Sequence, residues 1–411
     1  MLMPKRDRMK KLCLGLLCIL CGCGSINAVE SAAPAHELKL MIASDLHYQK
    51  ELSSVSASIV GQMVYNDEIA DALCETAIEN QPEALILLGD LSNVGAYADH
   101  ERMAAKLARV KAAGVDVYVV PGNHDLQQSS AADFEKIYAD FGFNQAFSRD
   151  RDSLSYAVKI NDDCWLLALD TNEEQMAYGH LSDNTLMWVE KVLKEAEQAN
   201  AYVLGISHHN LLRHSMQGTE NSFMIDKADE LANLLLRYGV PLYLSGHRHG
   251  RSIQTKTLGH AEITEIVSDM LLNYPNIYGV LDFSTDRTIT YEGKELDVSA
   301  WAVKQASQDE KLLNFKTYSY DLCAAKAAGM GSTALASKQL DDLDIQAMQT
   351  FMEQFYLAYA QGEIYQVRDA MLADPAYALW QQYCKGETYQ RWIEYVLNNY
   401  KENYDRWEIR Y

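Results

Sequence analysis

The sequence predicts a layered α/β protein that ends in an all-helical C-terminal domain, and three observations predict it. From about His36 to Leu296, short apolar runs alternate with amphipathic stretches, the pattern of sheets covered by helices. Five polar clusters in that region each follow an apolar run directly: Asp45-Leu46-His47, Gly89-Asp90, Gly122-Asn123-His124-Asp125, Ser207-His208-His209 and Gly246-His247-Arg248-His249. Beyond about Asp297 the clusters cease and long helical periodicity takes over, rich in Ala, Gln, Tyr and Trp. At 411 residues the chain exceeds one ordinary core, which agrees with two folded units at residues 37–296 and 297–411.

Taken in order, the apolar strand candidates are residues 38–43, 84–88, 116–120, 165–169, 202–206 and 242–244. Between them, residues 67–79, 98–113, 183–197 and 226–237 have helical periodicity. Asn66 or Asp67 is placed to cap the first of these and Gly114 to stop the second. After Gly250 the stretches 252–257, 261–267 and 277–292 read as a second sheet closing the domain. In the C-terminal region Gly329-Met330-Gly331-Ser332 predicts a break between an earlier helix and a later bundle. Trp380, Tyr383, Tyr389, Trp392 and Tyr395 recur at spacings of three to six and predict a packed helical face, with substrate stacking by one or two of them as the alternative.

The 36 basic and 57 acidic residues give a formal charge of −21 with no basic stripe, which excludes polymeric nucleic acid as the expected partner. A small phosphorylated substrate stays compatible, because bound dications would dominate the local field. Lys5, Arg6, Arg8, Lys10 and Lys11 precede an apolar stretch from Leu12 to Cys21 that is too short to span a membrane, so residues 1–23 read as an export signal. Leu20-Cys21-Gly22-Cys23 resembles the bacterial lipobox, which implies acylation of Cys23, a tether over residues 24–36, and a lipoprotein on the outer side of the cytoplasmic membrane; plain secretion is the alternative. Of the remaining cysteines only Cys323 with Cys384 is a disulfide candidate, and buried free thiols are the expectation.

Each polar cluster has a dull explanation when taken alone: Asp90 as a helix cap, Asn123 as a turn residue, His47 or His249 as surface histidines. Their joint order does not. In Asp45-Leu46-His47 the two polar residues are separated by one position at a strand end, so both can face one cation. Asp90 can lend one carboxylate oxygen to each of two cations, and Gly122 permits the tight turn that presents the Asn123 carbonyl.

This ordered set closely resembles the calcineurin-like metallophosphoesterase family, with its D-x-H, G-D, G-N-H-[DE], H and G-H-x-H blocks, over roughly residues 38–255. The resemblance implies a four-layer α/β/β/α double sandwich. It assigns Asp45, His47, Asp90 and His249 to one divalent metal ion and Asp90, Asn123, His208 and His247 to a second. Mixed nitrogen and oxygen donors suit Mn, Fe, Zn or Co. Two such ions about 3.5–4 Å apart would supply hydroxide at neutral pH for attack on phosphorus. Of the adjacent His208 and His209, the resemblance favours His208 as ligand and leaves His209 to the pocket wall or the interior; His214 is a candidate for the substrate rim. His124 takes the leaving-group side, as acid or charge stabiliser.

In the protein-serine/threonine phosphatase branch, an aspartate and an arginine follow the second block where Asn93 and Val94 stand here. The missing arginine argues against that branch and leaves the orientation of catalytic His124 to Asn93 or Asp125. The stretches Gly89–Gly95, with His100 after it, Leu169-Asp170-Thr171-Asn172 and Ser207–Leu212 resemble the bacterial cyclic-nucleotide phosphodiesterase branch, some members of which carry a helical C-terminal domain. The implied activity is hydrolysis of 3′,5′-cyclic nucleotides or similar small phosphodiesters. An exported phosphomonoesterase, nucleotidase or glycerophosphodiesterase is the second reading, and a non-catalytic surface binding module the third.

Overall fold

The computed structural model describes residues 36–56, 60–173, 177–216 and 223–410. The expectations for the export signal, for Cys23 and for nearly all of the tether fall outside these residues.

Thirteen strands form two sheets among the described residues. They are β1 (Leu38–Ala43), β2 (Ala84–Leu87), β3 (Asp116–Val119), β4 (Ser148–Arg149), β5 (Tyr156–Lys159), β6 (Cys164–Leu169), β7 (Tyr202–Ser207), β8 (Leu242–Ser245), β9 (Ser252–Leu258), β10 (Ala261–Val267), β11 (Ile277–Phe283), β12 (Thr288–Glu295) and β13 (Arg406–Arg410). The first sheet runs β13-β12-β11-β1-β2-β3 and the second β4-β5-β6-β7-β8-β10-β9. In the first, β1, β2 and β3 run parallel at one edge and the strands from β1 to β13 pair antiparallel; in the second, parallel β6, β7, β8 and β10 are flanked by antiparallel strands.

The period-two alternation of side chains explains how the sheets stack. Leu166, Ala168, Leu204, Ile206, Leu242 and Leu244 point into one core with Leu40, Ile42, Ile86 and Leu281 of the facing sheet. Their neighbours Leu167, Leu169, Val203 and Tyr243 point the other way, onto the helices Asp183–Ala199 and Ala228–Arg237. Helices Asn66–Asn80 and Tyr97–Ala112 contribute Ile69, Leu73, Met103 and Leu107 to the first core. The result is helices, sheet, sheet, helices, as the resemblance implies.

After β12 the chain becomes helical from Val298 onward and builds a third core around Trp380, Phe351, Phe355, Ile393 and Leu397. Trp380 is fully buried and donates to the Met348 carbonyl, whereas Tyr383 is exposed. The expected break at Gly329–Ser332 is absent: one helix runs through it from Phe315 to Leu335. Gly331 lies buried inside this helix where it faces helix Asp342–Ala360, and a Cβ there would meet the Gln349 backbone at an ordinary contact distance of 3.4 Å. Asn66 lies inside its helix and does not cap it, because its side chain bonds the Gln49 and Met63 backbone. The chain then returns from the helices as β13, pairing with β12 of the first sheet. Cys74, Cys164, Cys323 and Cys384 are free and buried.

Candidate metal centre

All five clusters emerge at strand ends, and hydrogen bonds beyond the sheets hold the loops together. Asp45 donates its backbone N–H to Gly89 and His47 to Asp90, which continues the β1–β2 pairing outward, while Gly246 donates to His208. Glycine is required where these loops touch: a Cβ on Gly122 would lie 2.2 Å from Asp90 Oδ1 and 2.3 Å from its backbone nitrogen. Asp45, His47, Asp90, His247 and His249 all have positive φ, between 42° and 69°. Non-glycine residues adopt that region at a cost of order 1–2 kcal/mol each. Strain concentrated on five polar residues of one cluster marks a functional constraint.

The side chains converge in two groups that share Asp90. Asp45, His47, Asp90 and His249 bring their ligand atoms within 4.8 Å of one another, and so do Asp90, His208 and His247. In the first, Asp45 Oδ1 lies 3.1 Å from His249 Nε2 and 3.7 Å from His47 Nε2, with the two Nε2 atoms 3.1 Å apart. In the second, Asp90 Oδ2 lies 3.3 Å from His208 Nε2, which is 3.1 Å from His247 Nδ1.

Each carboxylate commits one oxygen to the protein and turns the other inward. Asp45 Oδ2 accepts from Ser44 Oγ and the His247 backbone, and Asp90 Oδ1 accepts from the His124 backbone at 2.8 Å. Asp45 Oδ1, Asp90 Oδ2 and the Asn123 Oδ1 beside them are buried without a hydrogen-bond donor. His208 Nδ1 donates to the Leu88 carbonyl at 2.8 Å, which fixes the tautomer and turns Nε2 inward. Buried acceptors with no donor, facing imidazole nitrogens, fit divalent cations. Burial would push the Asp45 and Asp90 carboxyls up, yet the facing imidazoles hold both well below the usual carboxylate range.

His124 sits at the edge of this cage, one third exposed, with Nε2 4.0 Å from Asp90 Oδ2. Its Nδ1 donates to the Asn93 carbonyl at 2.6 Å, so Asn93 orients it through the backbone, while the Asn93 side chain bonds Gln49. Asp125 does not contact the His124 ring. Its carboxylate is fully buried and accepts from the Leu91, Ser92 and Gly122 backbone and from Ser92 Oγ, tying the second and third clusters together. Its expected catalytic role is corrected to a structural clamp.

For His209 the interior alternative holds, and the rim expectation for His214 is corrected. His209 is buried behind the cage, paired with Thr171 Oγ1 at 2.8 Å, with its ring 4.5 Å from that of His247. Burial and the neighbouring imidazoles push its pKa well down, so it is a neutral support. His214 is 1% exposed and bonds Glu265 Oε2 at 3.0 Å, away from any rim. Sequence reasoning missed Glu265, Ser44 and Arg248. Only Arg248 left a signal, as a cation inserted between two ligand-type histidines.

Beside Asn123 a cleft of about 830 Å³ opens, lined by Gln127, Gln128, Ser129, Ser130, Asn172 and Glu173 among others. No lysine or arginine lines it among the described residues.

A double sandwich with a carboxylate-bridged, imidazole-rich cage at its strand ends defines a metal-dependent phosphoric ester hydrolase. The model of the calcineurin-like phosphoesterases matches residues 38–251, and the chain belongs to that family. A second family model, the C-terminal domain of cyclic nucleotide phosphodiesterase, matches residues 297–403. A probable glycerophosphodiester phosphodiesterase of Arcobacter nitrofigilis is 28% identical over 206 residues, covering 48% of this chain and 70% of that protein. Among solved structures, a dimetal phosphatase from Danio rerio aligns with a TM-score of 0.50 at 14% identity, over 63% of this chain and 96% of that one, which is a likeness of fold.

Proposed function

We propose that this protein is a phosphodiesterase acting on small phosphodiesters, 3′,5′-cyclic nucleotides first among them, with two divalent ions from the Mn, Fe, Zn or Co group. What supports the diester preference is the 830 Å³ cleft beside Asn123, whose amides, hydroxyls and Glu173 carboxylate include no arginine or lysine clamp for a dianionic monoester among the described residues. The C-terminal match to a cyclic nucleotide phosphodiesterase domain supports the cyclic substrate. The Arcobacter relative supports a second reading, hydrolysis of glycerophosphodiesters.

Bound cations supply Lewis acidity and bring the ionisation of water near neutral pH. The chain does the rest. Asp45 and Asp90 supply the negative charge that holds the cations, while Ser44 and the His124 backbone amide fix the carboxylate orientation. Since Nδ1 of His124 donates to a carbonyl, Nε2 is the nitrogen turned toward the cage, and a proton carried there is the one available to the departing oxygen. From there it donates to the departing oxygen or stabilises the phosphoryl charge.

Parallel assays under manganese with bis-p-nitrophenyl phosphate, p-nitrophenyl phosphate, cyclic AMP and glycerophosphocholine test this. Turnover of the diesters well above that of the monoester is expected, and activity confined to the monoester contradicts it. The proposal extends to an exported enzyme anchored through Cys23, for which Cys23→Ala should abolish incorporation of labelled palmitate; equal labelling of both proteins removes the anchor.

A further inference from the structure

The last histidine pair of the candidate centre is gripped from outside by the C-terminal helical region. Arg248, between His247 and His249, donates to the Tyr400 hydroxyl at 3.1 Å and to the Tyr359 hydroxyl at 3.5 Å. Two residues after His249, the buried Arg251 donates to the Ala360 carbonyl and pairs with Asp405 at 3.0 Å. Gly250, between the two arginines, lets the loop approach the helix closely: a Cβ there would lie 2.4 Å from the Tyr359 hydroxyl oxygen. The two phenol rings pack against each other with centroids 5.5 Å apart, so the grip is one assembled surface. Tyr359 and Ala360 close the helix Asp342–Ala360, Tyr400 follows the helix Thr388–Asn399, and Asp405 immediately precedes β13.

This clasp falls on the loop that carries strain. His247 and His249 have φ of 69° and 52°, a conformation an isolated loop would relax. The loop's first half is held by bonds near the cage, Gly246 N–H to the His208 carbonyl, His247 N–H to Asp45 Oδ2 and Asn210 to the Gly246 carbonyl, whereas its His249 end is held by Asn273 on the His249 carbonyl at 3.4 Å and by the clasp. A spacer or a detachable lid has no need of two arginines committed to its surface on either side of a ligand-type histidine. We propose that the C-terminal helical region is a positioning element of the metal loop: Tyr359 and Tyr400 hold Arg248, and Ala360 and Asp405 hold Arg251, so that His247 and His249 keep the backbone that presents them to the two cations. This inference rests on the candidate metal centre and not on the diester reading, and its test uses no substrate.

The full chain carrying Tyr359→Phe and Tyr400→Phe together loses only two hydroxyls. Manganese affinity is measured by competition with a fluorescent chelator, alongside the melting temperature of the metal-free protein. Gln361→Ala serves as control, because it removes a contact to the Tyr274 hydroxyl elsewhere between the same regions. The dissociation constant should rise about 10-fold or more in the double variant, the usual cost of removing groups that orient metal ligands, while the control stays near wild type. An unchanged constant in the double variant, or an equal rise in the control, overturns the proposal. If the double variant does not fold, Tyr400→Phe alone is read by the same criterion.

Discussion

Replacing Asp90 with asparagine perturbs both cation positions with one atom. Oδ1 remains an oxygen able to accept from the His124 amide at 2.8 Å, so the loop geometry survives, but the inward Oδ2 becomes an NH₂ group facing His208 at 3.3 Å and His47 at 3.6 Å. The lost interaction is one full negative charge at contact distance. At an effective dielectric of about 20 this is about 4 kcal/mol per unit of opposite charge, and more for a dication. About 4 kcal/mol corresponds to roughly 10³ in affinity. Asp90→Asn should therefore fail to retain two metal equivalents after dialysis at micromolar manganese, and turnover of bis-p-nitrophenyl phosphate should fall with it. Elemental analysis and the diester assay read the two effects, and circular dichroism checks the fold. Retention of two equivalents with wild-type turnover would refute the bridging role.

Other perturbations separate the remaining parts of the account. His124→Ala should keep both metals and lose about 10²–10⁴ in turnover, the scale of a proton donor or charge stabiliser, and undiminished turnover would exclude that role. Gly122→Ala pushes a methyl into the Asp90 backbone, so it should cost about 1–3 kcal/mol in thermal stability and weaken metal binding together; an unperturbed melt would show that the contact is not that tight. Burial raises the Asp67 carboxyl, but the ammonium groups of Lys106 and Lys50 at 2.7 and 2.8 Å outweigh it and hold the group down to about 2. A depressed carboxyl stabilises the fold above its unfolded value near 4, and this contribution is lost as pH falls through about 2. Asp67→Asn should thus melt lower than wild type at pH 5–7, by the equivalent of about 1 kcal/mol after solvent screening, with the difference closing near pH 2; a gap independent of pH contradicts the ion-pair origin.

The strands that carry the site were legible because burial on both faces leaves continuous apolar runs, and a polar residue directly after such a run stands out. Asp45, Asp90 and His208 could be named on that basis. The edges were not legible. β4 and β5 are short and follow a turn-rich stretch, and β13 reads Arg-Trp-Glu-Ile-Arg, an alternation that gains meaning only when β12, more than 100 residues earlier, lies beside it. The Gly329–Ser332 stretch was misread because glycines tolerated inside a helix, at a cost of about 1 kcal/mol each, look like glycines that end one. Asp125 and His214 were assigned to chemistry because polar residues inside a motif look functional, whereas their partners, the Gly122 amide and Glu265, make them structural through contacts that no spacing encodes.

The most direct measurement is anomalous diffraction from crystals soaked in manganese. Two peaks should appear about 3.5–4 Å apart, one among Asp45, His47, Asp90 and His249, the other among Asp90, Asn123, His208 and His247. A single peak, or peaks away from Asp90, would contradict the shared binuclear cage.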